Sequence, residues 1–358
     1  MSAILLLVSL SFLIWTYTGP CDWISRLDFD VPSVMSYPYV LPFQSNNETY
    51  LPFAVVGDTQ RTSFWECTFG REVNDAETAA IVQAIAASSA SFLVILGDLV
   101  FDGGDKRHWQ FFDKTILPLR QKRLPILPVV GNHEYWGDRA AARKYVQERF
   151  PELRKRTWYS KQLGNLGLVW LNSNHAEMSI SMWKNQLTWF KSVMDNWSSK
   201  ESIKGILVFT HHPPYTNSIT VSSDFKVRTE LVDVFCNSPK AVALMAGHAH
   251  GYERFENVSE PKSCAKKRFY SHLNQDDIGN HDASSHSVQF IVSAGGGGPR
   301  PSTLRHDYED AFSGDAPRPF NFILVEPSTA SVKFSTFGLN KGEIKPQLQE
   351  TISHSYLA

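Results

Sequence analysis

The sequence predicts an α/β fold. Short apolar runs alternate with helix-like stretches from residue 53 to residue 246. Those runs are apolar throughout rather than alternating with polar residues, which is the pattern of strands covered on both faces. Beyond residue 288 the segments stay strand-like, with no helical pattern between them.

The elements follow in order. Residues 53–56 make a four-residue apolar strand. Residues 75–87 are an alanine-rich helix, with Asp75 and Glu77 in the first turn, where carboxylates complement the helix dipole. Residues 92–96 and 125–130 are two further strands, running into Gly97-Asp98 and Gly131-Asn132-His133. A charged helix spans 139–149, a strand 166–171, and an amphipathic helix 183–197. Buried strands at 205–210 and 241–246 flank a helical pattern over 228–235. Strands at 288–293, 320–325 and 331–337 have no helices between them and are expected to pair antiparallel. The polar stretch 258–286 reads as a surface loop insertion. Nothing marks an interdomain linker, so one domain is expected over 53–358, preceded by a Pro- and Tyr-rich extension at 19–52.

Of the 358 residues, 42% are hydrophobic and 20% charged, enough to build a large core and too apolar for a disordered chain. The net charge of −1 argues against a nucleic-acid or membrane-surface partner held by bulk charge. Ala3 to Trp15 is almost wholly apolar and short for a membrane span, so residues 1–18 read as a signal peptide or an uncleaved N-terminal anchor. A secreted or other extracytoplasmic location follows, with a membrane tether as the anchored form. Cys21, Cys67, Cys236 and Cys264 form an even set that an exported chain can pair. No C-x-x-C spacing suggests a zinc ribbon. Asn47, Asn196 and Asn257 open Asn-x-Ser/Thr sequons, a weak signal in so Ser- and Thr-rich a chain.

The chemistry gathers where the strands stop. The first run ends at Asp58 and Gln60, the second at Asp98, the third at Asn132 and His133. Thr210 leads into His211-His212-Pro213-Pro214, and Ala246 into Gly247-His248-Ala249-His250. Ligands of α/β sheets collect beyond the carboxyl ends of strands, so five such ends carrying metal-competent side chains point to one place. Gly-Asp after a strand is by itself an ordinary turn. The alternation of His248 and His250, however, can aim both imidazoles at one centre if that segment is extended.

In this order, GD58TQ, GD98LV, GN132H133E, H211HPP and GH248AH250 resemble the five motifs of the calcineurin-like metallophosphoesterases, over residues 53 to 256. The resemblance implies a four-layer arrangement, two mixed β-sheets sandwiched between helices. It implies a binuclear centre with Asp58, Gln60, Asp98 and His250 on the first ion. Asp98 would bridge to the second ion, completed by Asn132, His211 and His248. Such a donor set suits two divalent or trivalent ions, Mn, Fe or Zn. By the same resemblance His133 stabilises transition-state charge or protonates the leaving oxygen, while a water shared by the ions attacks phosphorus in line. The implied activity is hydrolysis of small phosphate mono- or diesters; the alternative is a catalytically weak or inactive binding protein on the same fold.

Two positions depart from the family's pattern. The first motif usually reads Asp-x-His, and here Gln60 offers an amide oxygen, a weaker donor, predicting a looser first metal. Purple acid phosphatases carry Tyr three residues after the bridging Asp; Phe101 stands there, so no phenolate ligand is expected. Other neighbours leave alternatives open. His212 is either a partner of His211 or a substrate contact. Arg61 either meets a substrate phosphate or forms a salt bridge. Trp65, Tyr135, Trp136, Tyr215 and Tyr252 either line a cleft or pack. Gly295 to Gly298 either rim the site or form a flexible turn.

Overall fold

A computed structural model of the chain describes residues 50–256, 258, 264 and 288–356. The expected signal peptide or anchor, most of the extension and most of the 258–286 insertion lie outside the described residues.

Two six-stranded sheets pack face to face. In the first the order is β12-β11-β10-β1-β2-β3, with β1 (Phe53–Val56), β2 (Leu93–Ile95) and β3 (Ile126–Pro128) parallel. β10 (Phe320–Pro327), β11 (Ser331–Leu339) and β12 (Gln347–Ser355) continue it antiparallel. In the second the order is β4-β5-β6-β7-β9-β8. There β5 (Leu166–Trp170), β6 (Gly205–Phe209), β7 (Ala241–Ala246) and β9 (Gln289–Ser293) are parallel. β4 (Tyr159–Leu163) and β8 (Tyr252–Phe255) pair antiparallel at its two edges.

The strand pleat explains the layering. Phe53 and Val55 of β1 point between the sheets, where they join Val94, Leu168, Trp170, Leu207 and Phe209 in one buried cluster. Ala54 and Val56, one residue out of phase, face Ile81 and Ile85 of α2 (Asp75–Ala87) on the outside. In the second sheet Ile206 and Val208 face Phe190 and Met194 of α6 (Ile180–Ser199). Helices therefore cover both outer faces, and the sandwich has the four layers expected.

The remaining helices are α1 (Phe64–Thr68), α3 (Lys106–Thr115), α4 (Leu117–Gln121), α5 (Arg139–Arg149) and α7 (Val232–Asn237). Side-chain caps start several of them: Ser63 in a capping box, Asp105, Asp138 and Ser179.

The predicted helix at 228–235 is a π-turn over Val227–Leu231 running into α7. The strand expected at 288–293 does not pair with the C-terminal strands: β9 lies between β7, parallel to it, and β8, antiparallel. α3, β4, β8 and β12 were not evident in the sequence. β12 is an outer strand whose residues are mostly exposed and polar, so it lacks the apolar signature of the inner strands.

Cys236 and Cys264 form a disulfide, which ties the start of the insertion to α7, and Cys67 is disulfide-bonded too. No helix among the described residues is long and apolar enough to cross a membrane.

Candidate metal centre

Five parallel strands drawn from both sheets deliver their carboxyl ends to one place. β1 gives Asp58 and Gln60, β2 gives Asp98, β3 gives Asn132 and His133, β6 gives His211 and β7 gives His248 and His250. The side chains of Asp58, Asp98 and His250 bring ligand atoms within 4.8 Å of one another. His211 Nε2 lies 2.8 Å from Asn132 Oδ1, 3.1 Å from His248 Nδ1 and 3.3 Å from Asp98 Oδ2. All seven candidate ligands thus surround a common pocket.

The backbone is forced to make this cluster. Asp58, Asp98, His248 and His250 have φ of 60°, 51°, 71° and 53°, the left-handed region that L-residues avoid. Each turns sharply off its strand and throws its side chain back toward the strand end, a strain typical of functional sites. Close approach needs glycine at two places. A Cβ on Gly131 would run into the Asp98 carboxylate, and one on Gly298 would stand 2.8 Å from the His250 ring.

Each imidazole is oriented by its other nitrogen. His211 Nδ1 donates to the Leu96 carbonyl at 2.8 Å, and His250 Nδ1 to that of Pro299 at 3.0 Å, so both Nε2 lone pairs face the pocket. The Gln60 amide is held the same way. Its nitrogen donates to the Asp58 and Asp98 carbonyls at 3.2 and 2.9 Å, which leaves its oxygen 3.1 Å from His250 Nε2.

His212 behaves differently. Ser173 Oγ accepts from the backbone N–H of His211 and of His212, at 3.2 and 2.9 Å. Its one proton is then free for His212 Nδ1, 2.9 Å away. A proton accepted at Nδ1 leaves the ring hydrogen on Nε2. His212 thus offers the pocket an N–H, not a lone pair, although it stands beside His211 and His248.

The site is short of positive charge. Asp58 and Asp98 are fully buried, and their ion-pair partners are histidines: His250 for Asp58, His133 and His211 for Asp98. Burial pushes the Asp58 carboxyl well above the usual carboxylate range; His211 opposes that rise and Asp98 adds to it. Burial also opposes protonation of His211, yet the Asp98 and Asp58 charges carry it up to about 9. His212, by burial and by the neighbouring His211, drops to about 3, and His248 falls well below its ordinary value for the same two reasons. One strongly basic imidazole in a nest of neutral ones is a proton standing where a cation would satisfy two buried carboxylates. The donor set of carboxylate, amide oxygen and aimed imidazole fits a pair of metal ions on those grounds.

Around the centre, His133 Nδ1 donates to the Phe101 carbonyl at 2.6 Å, and its Nε2 lies 3.7 Å from Asp98 Oδ2. Its ring is gripped between Phe101 and Trp136, with ring centres 5.1 and 3.7 Å away. Glu134 received no role from the sequence. Its buried carboxylate accepts the backbone N–H groups of Asp98, Leu99 and Gly131 at 3.0, 2.8 and 2.7 Å, fastening the second motif to the third. Ser173 was equally silent, because its position after β5 matches no motif.

The open alternatives now close. Arg61 pairs with Asp75 and covers the Phe111 ring, so it is a salt bridge. Tyr215 and Tyr252 are buried packing residues, and the Tyr135 hydroxyl accepts a hydrogen bond from Asn172 Nδ2 at 2.8 Å. Trp65 and Trp136 are exposed. Gly295 to Gly298 rim the site: Asn74 Nδ2 donates to the Gly297 and Gly298 carbonyls, and Gly298 N to that of Asp58.

Two face-to-face mixed sheets with this donor cluster at their strand ends are the arrangement of the metallophosphoesterase fold. The family model of the calcineurin-like phosphoesterases matches residues 51–252, and the chain belongs to that family. It is 22% identical to purple acid phosphatase 22 of Arabidopsis thaliana over 232 residues, 59% of this chain and 46% of the plant protein. The chain thus spans about half the length of that relative. Solved structures share the fold at low identity. Purple acid phosphatase PPD1 from yellow lupin seeds aligns with a TM-score of 0.59 at 17% identity, covering 89% of this chain and 55% of the lupin chain. GAP50, the anchor in the inner membrane complex of Plasmodium, aligns at 0.60 and 14%, covering 87% and 90%. A dimetal phosphatase from Danio rerio aligns at 0.54 and 14%, covering 87% and 100%.

Proposed function

We propose that this protein is a metal-dependent hydrolase of small phosphate esters. The observation that carries the reading is the place of Asp98: Oδ2 lies 3.3 Å from His211 Nε2 and 3.5 Å from the end of the Gln60 amide, so one carboxylate serves both halves of the cluster. Asp58, Gln60, Asp98 and His250 would hold one ion, and Asp98, Asn132, His211 and His248 the other. Bound cations supply charge neutralisation at the phosphoryl group and a water acidic enough to act as nucleophile at neutral pH.

The chain's own residues do the rest. The Phe101 carbonyl fixes His133 so that Nε2 faces the centre, where it can hand a proton to the leaving oxygen or hold developing charge, a role worth about 10²–10⁴ in rate. His212, through the Ser173 hydroxyl, presents an Nε2–H that can donate to a phosphoryl oxygen. Trp136 and the glycine rim bound the approach. The substrate class is a small phosphoester, and long nucleic acid is not expected, since a net charge of −1 gives no bulk attraction for it. The disulfide at Cys236 supports an oxidising compartment, consistent with the secretory reading of the N-terminus.

The test strips the protein with chelator, reloads it with Mn, Zn or Fe, and assays p-nitrophenyl phosphate, its bis ester and nucleotides. Asp98→Asn should lower the metal stoichiometry and reduce kcat by at least about 10², as loss of a charge-stabilising group does. Full activity in that variant refutes the bridging role. A metal-replete wild type inert on every substrate would instead favour the binding-protein alternative.

A further inference from the structure

We propose that a basic cavity beside the metal centre binds a single anionic amphiphile, a phosphate-type head on an apolar chain. The cavity, of about 340 Å³, lies among α5, the turn at Pro151–Arg154, residues 155–157 and the start of α6. None of the metal-centre donors lines it; it meets that region only through Glu134 and Tyr135.

Its lining has two halves. Val130, Ala142, Val146, Leu153 and Met178 are buried and form an apolar floor, extended by the half-exposed Met182. Thioether side chains adapt readily to a flexible guest. Around the floor stand Arg139, Arg143, Arg154, Lys155 and Arg156, five cations in a chain of net charge −1. Of the two carboxylates present, Glu177 pairs with Arg139 at 2.7 Å, and Glu134 is engaged by backbone N–H groups. Arg156 lies over the Trp189 ring. Arg143, Arg154 and Lys155 form no ion pair among the described residues.

Clustered like charges repel, and a purely solvated basic face needs no apolar cavity beneath it. Guanidinium groups match a phosphate oxygen pair, and three uncompensated cations suit a dianionic head better than a carboxylate. The size is that of a small-molecule site rather than of a protein groove, which commits the occupant to one free molecule.

The probe is decylphosphonate, which has no ester bond to hydrolyse, titrated calorimetrically below its micelle concentration into the metal-loaded full chain with inorganic phosphate saturating the metal centre. One-to-one binding is expected. Methylphosphonate and decanol should each bind at least tenfold more weakly, since each keeps only half of the ligand. Arg143→Glu/Arg154→Glu/Lys155→Glu should weaken decylphosphonate at least tenfold with the melting temperature retained. Should that variant fail to fold, the exposed pair Arg154→Gln/Lys155→Gln must still show a clear loss. Unchanged affinity in the charge variants, or equal binding of methylphosphonate, overturns the proposal. Because binding is read directly, this outcome is separate from whether the protein hydrolyses phosphoesters.

Discussion

Replacing Glu134 by Ala is expected to destabilise the metal-free protein by about 3 kcal/mol and to loosen the metal centre. The side chain is 4% exposed and accepts three short backbone N–H bonds, from Asp98, Leu99 and Gly131, and a longer one from Val100 at 3.4 Å. Leaving a buried donor unsatisfied costs about 1–3 kcal/mol, so three would cost about 3–9 kcal/mol. Against that, burial first and the Asp98 charge next push the Glu134 carboxyl from 4.5 up to about 7. At neutral pH and above, that shift means the native state already bears roughly 3 kcal/mol for ionising the group, at about 1.4 kcal/mol per pH unit. Alanine removes this burden along with the bonds, which brings the net loss to about 0–6 kcal/mol with a centre near 3. Glu134→Gln should fall between. Its oxygen, placed where Oε2 accepts from both Asp98 and Gly131, keeps two bonds, and its amide nitrogen then faces the Leu99 N–H and the more distant Val100 N–H. Urea unfolding of chelator-treated protein gives the stabilities, and elemental analysis after reloading gives the metal content. Both variants within about 0.5 kcal/mol of wild type, as for a surface change, with metal content unaltered, would refute the view that this carboxylate fastens the two motif loops.

Three further outcomes follow from the geometry. Gln60→His should tighten the more weakly held ion, because imidazole is the stronger donor; equal affinities by calorimetry would show that position 60 does not contact metal. Ser173→Ala removes the proton donor to His212 Nδ1 and should raise KM for p-nitrophenyl phosphate while leaving metal content intact; an unchanged KM would deny His212 a substrate contact. Glu253 receives hydrogen bonds from Thr216 and the Asn217 N–H, and burial raises its carboxyl from 4.5 to about 7. Since the folded value lies above the unfolded one, this group lowers stability progressively as pH rises from about 4.5 to 7, by roughly 3 kcal/mol in all. Glu253→Gln should therefore gain on wild type across that window, read as the difference between their unfolding free energies at pH 4 and pH 8; a constant difference would sink the argument.

Much of the fold was legible because the inner strands are covered on both faces. β1, β5, β6 and β7 have no water-facing residue, so their sequences are unbroken apolar runs whose ends are easy to see. Outer strands obey different physics. β12 is largely exposed and β4 half-buried, so tertiary pairing rather than composition makes them strands. β9 misled for a related reason: its apolar run declares a buried strand but not which sheet buries it. The long connection at 258–286 returns the chain to the second sheet, between β7 and β8.

The site divides the same way, and the division has a cause. A candidate ligand must be a particular residue type, so Asp58, Asp98, Asn132, His211, His248 and His250 announce themselves as candidates once their strand ends are placed. The groups that aim them need only supply a donor or acceptor. Leu96 and Pro299 do so with backbone carbonyls, which any residue has. Ser173 does so with a hydroxyl among many. Glu134 was visible only as a letter in a motif, its acceptor contacts being a property of two loops meeting. Backbone strain is equally invisible: Asp and His at φ of 51° to 71° are written in the sequence as ordinary residues, and only the glycines beside them hint that the chain turns sharply. Four strained turns within one pocket are tolerated because the parallel strands behind them are locked by two buried sheets. The rigidity of those apolar runs is thus what lets the centre hold two carboxylates together without a lysine or arginine paired to either among the described residues, and it is why a cation, rather than a shift of the backbone, is the natural relief for their charge.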